Sequence, residues 1–270
     1  MSELHSIAKN ILLDGRGILA ADESTGTMTK RLEDVKIQSN EQNRLKFRET
    51  LFSSSSIKNF IGGVLLYDET IKQKTSSGKN IPELIKEEGS ITGIKVDTGT
   101  KALAGSNEEK ITEGLDGLRE RFKEYYSLGA RFTKWRAVYK ISEKSPSKLS
   151  ISANAHALAR YAALAQEVGI VPIIEPEVLM DGKHSSKECF KVTSEVINKC
   201  YQELRMHNVD LKGTILKPNM ILPGSDSNEK ISNDEIAEMT LDCLKNNVPS
   251  EVPGIAFLSG GQTEIEATKN

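Results

Sequence analysis

The sequence has few of the residues that mark disulfide-bonded, membrane-spanning or metal-dependent proteins. Its 270 residues include three cysteines, none in a C-x-x-C pair, which favours reduced thiols over disulfides or a thiolate zinc site. No signal-peptide pattern opens the chain, and no apolar run approaches the roughly 18 residues that cross a bilayer. These absences predict a cytoplasmic protein. Four scattered histidines are expected in surface or packing roles rather than as metal ligands: His5, His156, His184 and His207.

The charge balance excludes a strongly basic or strongly acidic protein. Lysine and arginine number 36 against 38 aspartates and glutamates, for a formal net charge of −2. This balance argues against nucleic acid as a general partner. With 37% hydrophobic residues the chain can bury a sizeable core, and its length permits one large α/β barrel domain or two average domains.

Seven short apolar runs alternate with longer segments of helical period. Such alternation is typical of βα units around a parallel sheet. An eighth strand would start beyond Asn270, so the sequence predicts about seven βα units. The predicted strands are Gly17–Asp22, Gly62–Asp68, Thr92–Asp97, Arg131–Val138, Val171–Glu177, Gly213–Pro218 and Gly254–Gly260.

Two capping boxes predict helix starts. Ser106 to Glu109 opens an amphipathic segment that closes at Gly129, and Ser232 to Glu235 opens a second. Three further segments show helical periodicity without such a box. They are Glu41–Leu51, Asn154–Val168 and Lys187–Leu204.

Charged residues stand within or at the ends of the predicted strands, where an ionised group is costly unless it is paired or serves a function. Because side chains alternate along a strand, residues two apart, such as Lys134 and Arg136, share one side. We therefore expect these groups to converge at one end of the sheet. They are Asp22, Lys95, Asp97, Lys134, Arg136, Glu175, Glu177 and Lys217, with Ser259-Gly260-Gly261 after the last strand.

Three lysines and an arginine at one end of the sheet, opposed by a few carboxylates, predict a locally basic site. Crowded cations repel one another unless a polyanion neutralises them, which points to a phosphorylated substrate. Crowding also lowers the pKa of a lysine, and the neutral amine can attack a carbonyl carbon to form a Schiff base. Lys217 has the best position for this role, with Lys134 as its cationic neighbour. Spacing alone does not choose between them, and Lys95 is a third candidate.

Several longer motifs occur in order between Gly17 and Thr268. The most specific are Gly17-Ile-Leu-Ala-Ala-Asp-Glu-Ser-Thr-Gly26, Gly93-Ile-Lys-Val-Asp97, Lys134-Trp-Arg136, Glu175-Pro-Glu177, Leu216-Lys-Pro-Asn-Met220 and Phe257-Leu-Ser-Gly-Gly-Gln262. Together they resemble the class I fructose-1,6-bisphosphate aldolases. The resemblance implies an α/β fold of the TIM (β/α)8 type, with residues 1–270 as a single barrel domain.

The resemblance also implies a reaction and its catalytic residues. The reaction is reversible cleavage of fructose 1,6-bisphosphate to dihydroxyacetone phosphate and glyceraldehyde 3-phosphate, without a metal or other cofactor. Lys217 would form the Schiff base with the C2 carbonyl, Glu175 would act as acid and base, and Lys134 would supply a neighbouring ammonium. Asp22 would accept a hydrogen bond from the C4 hydroxyl, and Glu177 would support the charge network.

A second set of residues is implied to bind the substrate. Ser259 and Gly260, after the last predicted strand, match the site of the C1 phosphate. The family usually has serine at the position of Thr27. The residues matched to the other end of the sugar and its surroundings are Lys95, Arg136, Ser24 and Thr27.

The family continues with an eighth βα unit and a C-terminal tail that do not map onto this chain. Without that unit the first and last strands are expected to have open edges. The alternative function is therefore a catalytically weak or inactive aldolase that acts as a binding or scaffold protein. The family further implies a homotetramer and binding to actin or other cytoskeletal partners.

Overall fold

The computed structural model describes residues 2–106 and 108–269 and is built around one parallel sheet. Its strands are β1 (Gly17–Ala21), β2 (Ile61–Leu66), β3 (Ile91–Lys95), β4 (Thr100–Ala102), β5 (Lys110–Thr112), β6 (Phe132–Tyr139), β7 (Val171–Val178) and β8 (Ile215–Leu216). Six of them form the parallel sheet in the order β1, β2, β3, β6, β7 and β8. The other two, β4 and β5, form an antiparallel hairpin. The predicted parallel sheet is thus confirmed.

Helices connect the strands and cover the outer face of the sheet. Their bounds are α1 (Glu3–Ile11), α2 (Thr25–Asp34), α3 (Glu41–Phe52), α4 (Ile57–Phe60), α5 (Asp68–Ile71), α6 (Ile81–Glu87), α7 (Leu118–Ser127), α8 (Lys148–Glu167), α9 (Ser186–Met206), α10 (Asn233–Asn247) and α11 (Glu264–Lys269). The predicted capping box at Ser232 and Glu235 is confirmed at the start of α10. No helix in the described part of the chain is long and apolar enough to cross a membrane.

The two faces of β6 show how the sheet separates its core from its site. Trp135 points outward and is fully buried against the helices, with its ring centroid 5.6 Å from that of Tyr161 in α8. Phe132, on the opposite face, packs with Ile11 of α1 in a small cluster at the amino-terminal end of the strands. Two residues further along the same face is Lys134. The inner face of β6 thus has an apolar residue, Phe132, followed by a charged one, Lys134.

The sheet is strongly curled, so side chains from distant strands meet inside it. Two strands separate β1 from β6, which would place them about 14 Å apart in a flat sheet. Nevertheless, Lys134 Nζ lies 2.7 Å from Oδ2 of Asp22, directly after β1. This approach requires the concave inner face of a barrel-type sheet. Within the described residues, β1 and β8 are the edge strands, and the sheet is open between them.

The prediction of a helix from Ser106 to Gly129 is wrong over its first half, where β5, the second strand of the hairpin, lies instead. Ser106 does donate a hydrogen bond to Glu109, but Glu109 also accepts a 2.6 Å bond from the backbone N–H of Ser147, at the start of α8. The carboxylate therefore caps a different helix. The helix α7 begins only after Gly117, which has a φ of 65°. Asn107, inside the predicted box, lies outside the described residues.

The last predicted strand, Gly254–Gly260, is reduced to a single bridge between Ile255 and Leu216 of β8. The backbone runs beside β8 and the two residues after it through three hydrogen bonds of 3.2, 2.9 and 3.3 Å, from the Leu216 N–H to Gly254, from the Ala256 N–H to Leu216 and from the Leu258 N–H to Pro218. Pro218 has no N–H to donate the bond between the last two. The ladder is therefore interrupted, and the expected strand is not regular.

Gly93→Ala is expected to lower the free energy of unfolding by about 1–3 kcal/mol, because the inner face of β3 has no room for a side chain. A Cβ at Gly93 would lie 2.3 Å from the ring of Phe132, in the small apolar cluster that also contains Ile11. Urea denaturation measures the change. The matched control is Gly26→Ala in α2, where nothing lies within 4 Å of the new Cβ. Adding Phe132→Leu to Gly93→Ala should restore part of the loss, and equal stability of the two single variants would contradict the tight packing.

Candidate active site

The centre of the candidate site is a chain of ion pairs through two buried groups. Lys134 Nζ lies 2.7 Å from Asp22 Oδ2 and 3.4 Å from Glu175 Oε2. The other oxygen of Glu175, Oε1, lies 2.9 Å from Lys217 Nζ. We name these four residues the Lys134 cluster. The side chain of Lys217 is 18% exposed, whereas the other three are at most 10% exposed, so Lys217 is the accessible amine of the cluster.

The strands bring these groups together at their carboxyl ends. Asp22 directly follows β1, Lys134 and Glu175 lie within β6 and β7, and Lys217 directly follows β8. The backbone N–H of Lys217 donates a 2.8 Å hydrogen bond to Ile174 of β7, which holds the residue beside Glu175. The structure thus places the predicted catalytic residues of four strands in one network.

Two further ion pairs flank the cluster. Arg136 Nε donates a hydrogen bond to Glu177, and Lys95 Nζ lies 3.5 Å from Asp97. Each of the four cations at this end of the sheet therefore faces a carboxylate. The expectation of a locally basic site is wrong, because the charges of neighbouring strands interleave and compensate one another.

Electrostatics exclude Lys134 from the three candidate nucleophiles. Burial lowers the pKa of Lys134, but the nearby charges of Glu175 and Asp22 outweigh this effect and raise its pKa well above the ordinary lysine value. Lys134 therefore remains an ammonium at neutral pH and is unsuited to attack a carbonyl carbon. Burial also raises the pKa of the Asp97 carboxyl. The positive charges of Lys95 and Lys134 offset this rise only in part.

Two cavities lie beside these ion pairs. One of about 620 Å³ is lined in part by Ser24 and Lys95, and one of about 420 Å³ is lined in part by Arg136 and Gly260. The resemblance matched Arg136 to the end of the sugar opposite Gly260, but the structure places both in the same cavity. Ser259 is exposed beside them.

Ser24 and Thr27, both predicted to bind substrate, lie at the start of α2. Ser24 is the N-cap of α2, and its hydroxyl accepts a 3.4 Å hydrogen bond from the Thr27 backbone N–H. The two hydroxyl oxygens lie 3.1 Å apart. Of the pair, Ser24 lines the larger cavity, whereas Thr27 is exposed on the first turn of the helix. Both hydroxyls thus have a structural role, and Ser24 alone faces the cavity.

The sequence analysis missed a buried arginine that holds the segment after β1. Arg48 of α3 is 0% exposed and donates 2.6 Å hydrogen bonds to the Glu23 carbonyl oxygen and to the Thr70 hydroxyl. Glu23 directly follows Asp22, so Arg48 is a positioning residue for that carboxylate. A sequence signal exists, because Arg44 and Arg48 lie one turn apart on the buried face of α3.

Arg48→Met is expected to lower the free energy of unfolding by about 1–3 kcal/mol, because the buried Thr70 hydroxyl and the partly buried Glu23 carbonyl lose their donor. The measurement is urea denaturation followed by circular dichroism. Arg119→Met is the matched control, since Arg119 is half exposed and its pair with Glu167 lies on the surface. If both variants unfold at the same urea concentration, Arg48 does not hold this segment.

Comparison with known proteins identifies the family. A family model described as fructose-bisphosphate aldolase class-I matches residues 3–270. This chain belongs to the class-I fructose-bisphosphate aldolase family. Fructose-bisphosphate aldolase 4, cytosolic, from Arabidopsis thaliana is 52% identical over 268 residues, which cover 99% of this chain and 68% of the plant protein. A probable class 1 aldolase from Xylella fastidiosa is 50% identical over 99% of this chain and 80% of its own length.

A solved aldolase structure has the same fold. The ternary co-crystal structure of fructose-bisphosphate aldolase from Plasmodium falciparum, in complex with TRAP and a small-molecule inhibitor, matches with a TM-score of 0.97. The two sequences are 43% identical, and the match covers 99% of this chain and 78% of the other. The resemblance carried by the sequence motifs is thus confirmed, as is the barrel-type fold.

Proposed function

We propose that this aldolase-family chain cleaves fructose 1,6-bisphosphate reversibly to dihydroxyacetone phosphate and glyceraldehyde 3-phosphate, as a step of glycolysis. The observation that carries the proposal is the accessible amine of Lys217, 2.9 Å from the buried carboxylate of Glu175. An amine with a base within hydrogen-bond reach is what Schiff-base formation requires. The family assignment and the names of the relatives support the same reaction.

In the first stage, Lys217 attacks the C2 carbonyl of the sugar. Glu175 accepts a proton from the lysine ammonium, and the neutral amine adds to C2 to form a carbinolamine. The protonated Glu175 then donates its proton to the C2 hydroxyl, which leaves as water, and an iminium remains on Lys217. The ammonium of Lys134 stays charged and holds the second oxygen of Glu175 at 3.4 Å.

In the second stage, the C3–C4 bond breaks. Asp22 accepts the proton of the C4 hydroxyl, and the C4 oxygen becomes the carbonyl oxygen of glyceraldehyde 3-phosphate. The electron pair of the broken bond moves into the iminium and gives an enamine. Protonation at C3 and hydrolysis then release dihydroxyacetone phosphate and restore Lys217. Lys134 holds the Asp22 carboxylate at 2.7 Å, and Glu177 stays paired with Arg136 beside the reacting groups.

The phosphate groups are assigned to the two cavities. Gly260 and Ser259 would offer backbone N–H and hydroxyl groups to the C1 phosphate. Lys95 would bind the other phosphate after leaving Asp97, because their 3.5 Å separation is the longest ion pair of the site. Since Lys95, Lys134, Arg136 and Lys217 each face a carboxylate, binding of substrate through any of them must exchange that partner.

Borohydride trapping tests the proposal and separates Schiff-base formation from turnover. The purified chain is incubated with dihydroxyacetone phosphate, reduced, and digested for mass spectrometry, while cleavage of fructose 1,6-bisphosphate is followed in a coupled assay. We expect an adduct on Lys217 together with cleavage. An adduct without cleavage would favour a catalytically weak or inactive protein, and a folded chain without any adduct would overturn the proposed mechanism.

A binding or scaffold role is the second candidate. The related Plasmodium falciparum aldolase was crystallised in complex with TRAP, which supports a binding function within the family. The resemblance supports three further proposals. Residues 1–270 form one barrel domain, the chain assembles as a homotetramer, and it binds actin. A cytoplasmic location is supported by the relatives named as cytosolic. Analytical ultracentrifugation and co-sedimentation with filamentous actin check the assembly and the partner.

A further inference from the structure

Outside the Lys134 cluster, one carboxylate and two imidazoles meet between α8 and α9. Glu203 in the last turn of α9 and His207 at its C-cap lie one turn apart, which places them on the same side of the helix. His156 approaches from α8, and its ring centroid lies 4.9 Å from that of His207. The fold thus brings together two histidines that the sequence analysis expected in separate surface or packing roles.

The distances between these groups suit a metal ion. His156 Nδ1 lies 3.4 Å from Glu203 Oε2, and His207 Nδ1 lies 4.0 Å from the same oxygen. One ligand atom from each residue lies within 4.8 Å of the other two. Metal–ligand bonds of about 2.1 Å at tetrahedral angles place ligand atoms about 3.4 Å apart. The observed spacings, from 3.4 Å to at most 4.8 Å, lie at or above this value, so the side chains, above all the His207 ring, must rotate to close around an ion.

Contacts with neighbouring groups orient the ligand atoms of Glu203 and His207. Lys199 Nζ binds Oε1 of Glu203 at 2.8 Å, which leaves Oε2 to face the imidazoles. His207 Nδ1 lies 2.9 Å from the carbonyl oxygen of Glu203, and when Nδ1 carries the proton, Nε2 keeps its lone pair free.

We propose that His156, Glu203 and His207 bind a divalent transition metal of the zinc class, with water completing the coordination. Two imidazoles and one carboxylate suit Zn²⁺, whereas Mg²⁺ and Ca²⁺ prefer oxygen ligands. The proposed aldolase reaction uses none of these three residues, so this proposal does not depend on it. A bound metal links α8 to α9. Because these ligands come together only in the folded chain, zinc is expected to stabilise the protein against unfolding.

Equilibrium dialysis of the metal-free chain against zinc chloride in a non-coordinating buffer tests the proposal. We expect one tightly bound zinc per wild-type chain. His156→Ala and His207→Ala should each weaken binding at least about tenfold, because each removes a direct ligand. His5→Ala is the matched control, since His5 also pairs with a carboxylate, that of Asp210, but lies outside this group.

Cobalt binding is a second measurement. Together with circular dichroism, it distinguishes loss of a metal ligand from loss of local structure. Co²⁺ in a site of nitrogen and oxygen ligands gives visible absorption bands, which should appear in the wild type and in His5→Ala but not in His156→Ala. His156 is 53% exposed, so its removal should leave the fold intact, which circular dichroism checks. Equal zinc affinity of the wild type and both histidine variants, or no zinc binding by the folded wild type at millimolar zinc, would overturn the proposal.

Discussion

Lys217→Ala is expected to abolish the borohydride-trapped adduct and to lower kcat/KM for fructose 1,6-bisphosphate by at least about 10⁴-fold. The other amine of the Lys134 cluster cannot replace it, because Lys134 is 8% exposed and its pKa is raised by Glu175 and Asp22, which outweigh the opposing effect of burial. The fold should persist, since Glu175 keeps Lys134 as a partner at 3.4 Å. Mass spectrometry after reduction measures the adduct, and a coupled assay measures the cleavage.

Two further lysine variants test whether the loss of adduct and activity is specific to Lys217. Lys212→Ala is the matched control, since Lys212 is exposed five residues before Lys217. Lys95→Ala addresses the third candidate nucleophile, and it should raise KM while leaving the adduct on Lys217 unchanged. An adduct on Lys95 in the Lys217→Ala variant would contradict the assignment of the nucleophile.

The sequence predicted which side chains face the site wherever the strands are long and regular. β6 extends over eight residues, and its alternation places Phe132 and Lys134 on the inner face and Trp135 on the outer face. A period of two needs only the local backbone, so it can be read without knowledge of tertiary contacts. The convergence of charged residues follows from the same pattern.

The partner of each charge could not be predicted in this way. The ion pair between Lys134 and Asp22 joins β6 to β1 across two intervening strands, and it depends on the curl of the sheet. Alternation along one strand contains no information on that curl. The sequence analysis therefore predicted a locally basic site where the structure has four cations, each beside a carboxylate.

Local signals also failed where a distant group competed for the same atoms. The bond between Ser106 and Glu109 is present, yet Glu109 also binds Ser147 at the start of α8, and no helix begins at Ser106. In the last predicted strand, the apolar pattern is correct, but the paired segment of β8 ends just before Lys217 and Pro218. In both places tertiary contacts or a missing N–H outweighed local preference.

Lys134→Met is expected to lower the free energy of unfolding by about 3–5 kcal/mol, because Asp22 and Glu175 stay buried without the cation between them. It should also lower kcat by about 10²–10³-fold, since both carboxylates lose the contact that positions them for proton transfer. The adduct on Lys217 should still form, because the amine itself remains. Urea denaturation and steady-state kinetics measure the two effects.

The pH dependence of this loss tests its electrostatic origin. The raised pKa of Lys134 means that the native state holds this proton more tightly than the unfolded chain, whose value is the ordinary 10.5. The stabilisation is therefore fully present at neutral pH and is lost only as pH rises above 10.5. The stability gap between the wild type and the variant should therefore stay constant near neutral pH and narrow as pH rises above 10.5.

Lys58→Met is the matched control for the Lys134 variant. Lys58 is 60% exposed and lies 3.5 Å from Glu88, so its pair is screened by water and its loss should change stability little at any pH. A Lys134→Met variant as stable as the wild type at pH 7 would show that the buried carboxylates do not need this cation. A stability gap that does not narrow above pH 10.5 would assign the loss to packing, because deprotonation of Lys134 would then change nothing in the wild type.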